Sequence, residues 1–230
     1  MYLDRLVETA GSSIFRYEEA MKYLGSRGFN EDDVRRWGLG YTKVARISSD
    51  NSEAWEQLKK STAGFRMLEE RVIIPLRNLL GRVNGIQTRD LEKKKYVQYL
   101  MPEARSVGAF FGLREALPEI RRTRRVFVHE GAFNAMSFWG AFPNSVASLT
   151  SFLGEAQYET LRFLADMIVL VFDDDKAGDI GRKKMIDAYG TSGVEFVTFP
   201  GADVNERMRT MGAERFAKWA KSMVPVVLQG

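Results

Sequence analysis

Met167–Gly178, MIVLVFDDDKAG, is the stretch whose reading decides the fold. Six apolar residues, Met167 to Phe172, run straight into three aspartates. The run is short and partly β-branched, with neither helical nor alternating spacing. That pattern predicts a strand buried on both faces, as in the middle of a parallel sheet. Acids at its C-terminal end would stand where ligands bind in open α/β sheets. In an extended chain Asp173 and Asp175 point to one side, about 7 Å apart. Two bare charges at that separation repel by about 2 kcal/mol at an effective dielectric of about 20. A divalent, oxygen-seeking cation such as magnesium reverses the sign of that term. An acidic turn solvating a strand end would carry the same triplet, so the rest of the chain has to choose between them.

The 230 residues leave room for one large domain or two small ones with real cores. Hydrophobic content of 45% and charged content of 28% suit a folded globular chain. With no cysteine, disulfides and thiolate metal sites, zinc ribbons included, are excluded. A single histidine excludes a histidine-rich site. Any metal must be held by carboxylates, and no zinc is expected. The N-terminus, MYLDRLVETAG, mixes charges with apolar residues and lacks the apolar core of a signal peptide. No apolar run is long enough to cross a membrane. A cytoplasmic protein is therefore expected. The net charge of +4 hides an asymmetry: from Arg71 to Arg125 thirteen bases face five acids, and the rest of the chain is net acidic. Tyr96, Tyr99, Phe110 and Phe111 interleave with those bases. A basic segment beside an acidic metal site suits a polymer of phosphates. A solvated surface of lysines and arginines is the plainer alternative.

Taken in order, Phe15–Arg27 has helical spacing and ends at Gly25 and Gly28. Asn30 is placed to cap a second helix, NEDDVRRW, which should stop at Gly38 and Gly40. Lys43–Asn51 reads as a loop, and a helix is expected around EAWEQLKK. RVIIPLRNLLGRVNGIQTRDL reads as a hairpin, with strands near Val72–Leu76 and Arg82–Thr88. From Arg124 onward strand and helix alternate: RRVFVHEG, FNAMSFWGAF, SVASLT, EAQYETLRFLA, MIVLVF, AGDIGRKKMIDAYG, VEFVTF, and one last helix from Asn205 to Met223. Four strands and three crossover helices make a parallel α/β layer.

Three of the four strands run into acids: Glu130 after the first, Asp173 and Asp175 after the third, Asp203 and Glu206 after the fourth. The C-terminal ends of parallel strands share one edge, so these groups can converge. Such a cluster could bind one or two magnesium ions and clamp the phosphates of a nucleotide. Glu130 follows an apolar strand, and partial burial would suit it to take a proton from a hydroxyl. His129, one residue earlier, should face the other way and serve in packing or against a nucleotide.

VHEGAFNAMS, LVFDDDKAG and PGADVNE, in this order, resemble the three acidic motifs of the Toprim fold. That fold is shared by bacterial-type primases, type IA and II topoisomerases, OLD-family nucleases and recombination mediators. YLGSRGFNEDDVRRWGLGY, RVIIPLRNLLGRVNGIQTR, KKYVQYL and AFFGL resemble the RNA-polymerase domain of DnaG-type primases. The resemblance implies an α/β chain: a mixed α+β N-terminal subdomain over residues 1–115, a Toprim parallel-sheet subdomain over 116–204 and a helical segment over 205–230. It implies that Glu130 is a catalytic or metal-organising acid. Asp173 and Asp175 would be catalytic ligands of magnesium or manganese, with Asp203 nearby. Arg77, Arg89 and Lys95 fall on positions that contact template or incoming nucleotide in the family, and Lys176 stands where the family often has a base. Four features depart from the pattern. Asn134 replaces an aspartate of the first motif, Ser106 stands at an expected basic position, GADVNE is nearer the Asn-Glu version of phage primase–helicases, and Ala202 stands where a lysine is expected before Asp203.

The resemblance thus implies a template-directed polymerase that makes short RNA primers on single-stranded DNA from ribonucleoside triphosphates. A replicative helicase would be its partner, with a zinc-binding module acting in trans because no cysteine is present here. The chain would be either a piece of a longer primase or a compact, phage-encoded one working in a bacterial cytoplasm. Met1 favours the second. Two rivals stand: another Toprim enzyme, a metal-dependent nuclease above all, or a non-catalytic nucleic-acid-binding module, for which Asn134 speaks.

Overall fold

The structure is a computed structural model that describes residues 2–43, 68–93, 95–174, 176–201 and 203–229. The chain is mixed α/β and divides into two compact units, Met1–Arg105 and Ser106–Gly230. The loop expected over Lys43–Asn51 (beyond Lys43) and the helix expected around EAWEQLKK lie outside the described residues.

In the first unit, helix α1 (Tyr2–Ser13) places Leu3, Leu6, Val7 and Ala10 on one face. They bury against Ile73, Val83, Ile86 and Tyr99 of an antiparallel sheet. This helix was not among the sequence expectations. The helix expected over Phe15–Arg27 is also corrected: a 3₁₀ turn at Ile14–Arg16 passes into extended Tyr17, and α2 spans Glu18–Ser26. Helix α3 (Glu31–Trp37) starts where expected. Asn30 Oδ1 accepts from Asp33 N and Asp33 Oδ2 from Asn30 N, each at 3.0 Å, which satisfies two amides at the helix start. Gly38 ends α3 in the left-handed region at φ 61°.

Strands β1 (Gly40–Thr42), β2 (Arg71–Arg77), β3 (Val83–Asp90) and β4 (Tyr96–Leu100) pair antiparallel in chain order. The β2–β3 turn is set by Asn78, whose Oδ1 accepts from Leu80 N and Arg82 N. At the opposite end Arg71, nearly buried, donates to Thr88 Oγ1, Asp90 Oδ2 and Lys95 O at 3.0, 2.9 and 2.7 Å. Helix α4 (Pro102–Val107) then carries the chain across the division between the units.

The second unit opens with α5 (Leu113–Thr123), also not foreseen; Pro118 inside it masks its helical pattern. Then strand and helix alternate as expected: β5 (Arg125–His129), α6 (Ala132–Phe138), β6 (Ser145–Ala147), α7 (Glu155–Leu164), β7 (Met167–Asp173), α8 (Lys176–Tyr189) and β8 (Val194–Phe199). The sheet is parallel throughout, in the order β6-β5-β7-β8. Ile168 to Phe172 are buried on both faces. Val126, Val128, Ile168, Leu170 and Phe172 share one core with α5, α7 and α8. Phe127 and Phe199 join Phe138, Phe142, Phe216 and Trp219 on the other side. Each such side chain stabilises the fold by about 1.5–3 kcal/mol when fully buried. The single last helix expected from Asn205 is corrected to α9 (Val204–Met211) and α10 (Ala213–Met223), broken at Gly212 with φ 81°; a short α11 (Val226–Gln229) follows. Among the described residues no helix is long and apolar enough to cross a membrane.

Gly40 lets α1 pack tightly against β1: a Cβ there would lie 2.7 Å from Ala10 Cβ and 3.0 Å from the Ala10 carbonyl carbon. Gly40→Ala is expected to destabilise the protein by about 1–3 kcal/mol. Gly140→Ala, at a position with nothing within 4 Å of the added methyl, should stay within about 0.5 kcal/mol of the parent. Thermal unfolding of both variants checks the contrast.

Candidate active site

Strand β5 connects through α6 to β6 on one side, and the chain then returns through α7 to β7 on the other. The connections diverge between β5 and β7, and that is where open α/β sheets form a ligand crevice at the strand C-termini. Glu130 directly follows β5, and Asp173 is the last residue of β7. His129 pairs with Val171, so Glu130 leaves the sheet one residue short of the level of Asp173. With strands about 4.8 Å apart and a rise of about 3.3 Å, the two Cα atoms stand about 6 Å apart. The fold thus brings Glu130 and Asp173 together at the crevice. Asp173 is described by its backbone alone, and Asp175 lies outside the described residues.

The neighbouring acids have structural partners. Asp174 Oδ2 accepts from Gly201 N at 3.4 Å and ties the loop after β7 to the loop after β8. Asp203 caps α9: its Oδ1 accepts from Glu206 N at 2.7 Å. Lys176 is the exposed first residue of α8. Among the described residues no three His, Cys, Asp or Glu side chains gather closely enough to hold an ion. The donors this rim offers are carboxylate oxygens, which suit a hard divalent cation.

His129 is not among those donors. It is 1% exposed, its ring meets Phe138 edge-on at 4.8 Å, and neither nitrogen has a hydrogen-bond partner. Burial pushes its pKa down to about 3, so the ring is neutral packing. Asn134, expected only as a missing ligand charge, has a position of its own. Its Oδ1 accepts from Asn205 N at 3.2 Å, and Asn205 Nδ2 donates to Ser137 Oγ at 2.9 Å. Together Asn134 and Asp203 satisfy two amides at the start of α9. The amide thereby latches the helix after Glu130 to the helix after Asp203. Nothing in the local sequence signals this contact.

The predicted cations of the first unit separate. Arg89, on β3, is nearly buried, pairs across the sheet with Val72 and Tyr96, and donates through Nε to Tyr23 Oη at 2.9 Å. Lys95, exposed, stands beside it: its carbonyl accepts from Asp90 N. Arg77 lies at the far end of β2, five residues from the level of Arg89, or about 17 Å along the strand. There it donates to Gly81 O at 3.1 Å. The sheet therefore groups Arg89 with Lys95 and holds Arg77 apart.

Comparison with known proteins adds likeness to geometry. Residues 12–107 match the N-terminal domain of the DNA primase catalytic core, and residues 127–208 match the Toprim-like family. The DNA primase of Aquifex aeolicus is 27% identical over 239 residues, covering 96% of this chain and 48% of that protein. Among solved structures, the DnaG catalytic core is similar with a TM-score of 0.81 at 23% identity, over 99% of this chain and 80% of that one. A DnaG primase catalytic domain bound to single-stranded DNA is similar with a TM-score of 0.78 at 23% identity, over 99% and 81%. These likenesses show the fold. The chain spans 31% to 48% of the length of the first relatives it matches.

Two outcomes follow from the geometry. Asn134→Ala removes the acceptor that Oδ1 offers to Asn205 N and should cost about 1–3 kcal/mol of stability in thermal melts. Asn134→Asp keeps the acceptor and adds negative charge at a helix start, so it should hold parental stability at neutral pH. For His129, the unfolded chain binds a proton below about 6.5 that the folded chain refuses until about 3. Stability therefore falls as pH drops through that window. His129→Leu should remove up to about 1.4 kcal/mol per pH unit from the slope, measured by urea unfolding between pH 6 and pH 4.

Proposed function

We propose that this chain, which has the domain content and fold of a DnaG-type primase catalytic core, is the polymerising part of a DNA primase. It would make short RNA primers on single-stranded DNA, joining ribonucleotides through attack of a 3′-hydroxyl on an α-phosphate with release of pyrophosphate. The observation that carries this reading is the adjacency of Glu130 and Asp173 across the crevice between β5 and β7. The Toprim-like half alone would suit a nuclease equally well. The primase-type N-terminal domain over residues 12–107 favours polymerisation.

In this reading Glu130, Asp173, Asp175 and Asp203 hold magnesium or manganese. The bound metal supplies a lowered pKa for the attacking hydroxyl and neutralises charge on the phosphate. Glu130 stands at the crevice, placed to accept the hydroxyl proton. Asp174 and Asn134 keep the acid-bearing loops in place through Gly201 and Asn205. Arg89 and Lys95 contact phosphates of the template, Arg77 a separate stretch of backbone or nucleotide, and Lys176 the triphosphate. Such contacts bind without reading sequence. A zinc-binding module in trans and a replicative helicase complete the working assembly in a bacterial cytoplasm. The Asn205–Glu206 pair supports a phage-encoded version.

The test is primer synthesis from labelled ribonucleotides on single-stranded DNA, with a zinc-binding primase domain added in trans. Asp173→Ala/Asp175→Ala is expected to fold and to bind DNA, with product reduced roughly a hundredfold or more. Equal product from both proteins would remove the metal role of these acids. Degradation of the DNA with metal and no nucleotides would make the protein a nuclease instead.

A further inference from the structure

Two arginines of the first sheet are nearly withdrawn from water, Arg71 at 7% and Arg89 at 4% exposure. Their surroundings differ. The Arg71 guanidinium spends its donors on Thr88, Asp90 and the Lys95 carbonyl, and the Asp90 carboxylate balances its charge. Among the described residues Arg89 has no carboxylate partner and one hydrogen bond, from Nε to Tyr23 Oη at 2.9 Å. Its guanidinium carbon lies 4.6 Å from the centre of the Tyr96 ring. Both Nη groups are left without a partner among the described residues. A cation withdrawn from water and lacking a counter-charge is costly unless an anion completes it.

Tyr23 determines how that cation is held. It comes from α2, 66 residues from Arg89, and its phenol oxygen is also approached by Arg27 Nε at 3.4 Å. The Arg27 guanidinium carbon lies 5.8 Å from the Tyr23 ring centre. Two guanidiniums thus converge on one phenol oxygen. The side edge of the Arg89 fork is fixed by Tyr23 and its face by Tyr96, which leaves the paired Nη edge as the remaining donor surface. That edge matches a phosphate taken by two parallel N–H···O bonds.

We infer that Tyr23 is a positioning residue that locks Arg89 as a two-pronged clamp for a phosphodiester of single-stranded nucleic acid. The inference rests on the proposed reading of Arg89 as a template contact and names the residue that orders it. Without the phenol, Arg89 keeps its charge and loses its fixed orientation, and binding then costs the ordering of one long side chain.

The experiment is fluorescence anisotropy of the full chain with labelled oligothymidylate across a salt series, for the parent, Tyr23→Phe, Arg89→Gln and the double variant. Tyr23→Phe should weaken binding about two- to tenfold with an unchanged salt slope, since no phosphate contact is removed. Arg89→Gln should lower the slope by about 0.7, the loss of one contact to a single strand. In the Arg89→Gln background, Tyr23→Phe should cost nothing further. Equal losses in both backgrounds, or no loss in either, would overturn the inference. A second measurement needs no variant to fold. In the parent protein the Arg89 Nε–H proton should exchange slowly in NMR spectra, and oligothymidylate should shift the Nη resonances while leaving Nε in place; rapid exchange of Nε–H overturns the lock. The two readings fail separately. A parent that binds oligothymidylate but makes no primer ends the polymerase proposal and leaves the clamp standing. A parent and Arg89→Gln that bind alike end the clamp whatever the polymerase does.

Discussion

A strand buried on both faces can carry no charge until it leaves the sheet, and the second unit is organised by that constraint. Val126 to Val128 and Ile168 to Phe172 are covered by a mixed apolar core on one side and an aromatic cluster on the other. A carboxylate within either run would lose its hydration with nothing to replace it. The acids therefore stand at the rim, where Glu130 and Asp173 follow directly on the last buried residues. Parallel pairing puts all four strand ends at the same edge, and the order β6-β5-β7-β8 sets the two acid-bearing strands side by side at the point where the connections diverge.

Placing acids at a rim is not enough, because loops move. Two contacts tie the loops of this rim together. Asp174, the middle member of the triplet, accepts from Gly201, and Asn134 accepts from Asn205. Each contact joins a segment that carries a candidate ligand to another that carries one. Asn134, standing where the resemblance implies an acid, keeps the acceptor that this helix start uses, a role a carboxylate would also fill.

The first unit handles charge in the opposite way. Its sheet neutralises one nearly buried arginine internally, through Arg71 and Asp90, and leaves the other, Arg89, without a counter-ion among the described residues. The first arrangement serves folding: it clamps β2, β3 and the start of β4 at one end. The second is the one we infer to be completed by an anion from outside. Arg77, at the other end of the hairpin, belongs to neither, so the cations of the basic segment stand at separate places along one sheet.

The alternating strands and helices of the second unit, the β2–β3 hairpin and the capped start of α3 were all legible in the sequence. They depend on local patterns: continuous apolar runs, turn residues and an Asn-x-x-Asp box. Helices α1 and α5 were missed: the charges of the first serve, in the sequence, only to exclude a signal peptide, and Pro118 interrupts the second. The break at Gly212 was missed because nothing distinguishes it from a tolerated helical glycine until its φ is known. The acids at strand ends were legible because charge after an apolar run has one cheap location. The Asn134–Asn205 latch and the Tyr23–Arg89 contact join residues 71 and 66 positions apart, between elements whose packing no local pattern describes. Sequence alone thus determined which residues must be buried and which must reach the edge. Tertiary structure decided which of the latter meet, because meeting depends on strand order and helix packing, and both emerge only when distant segments compete for the same core.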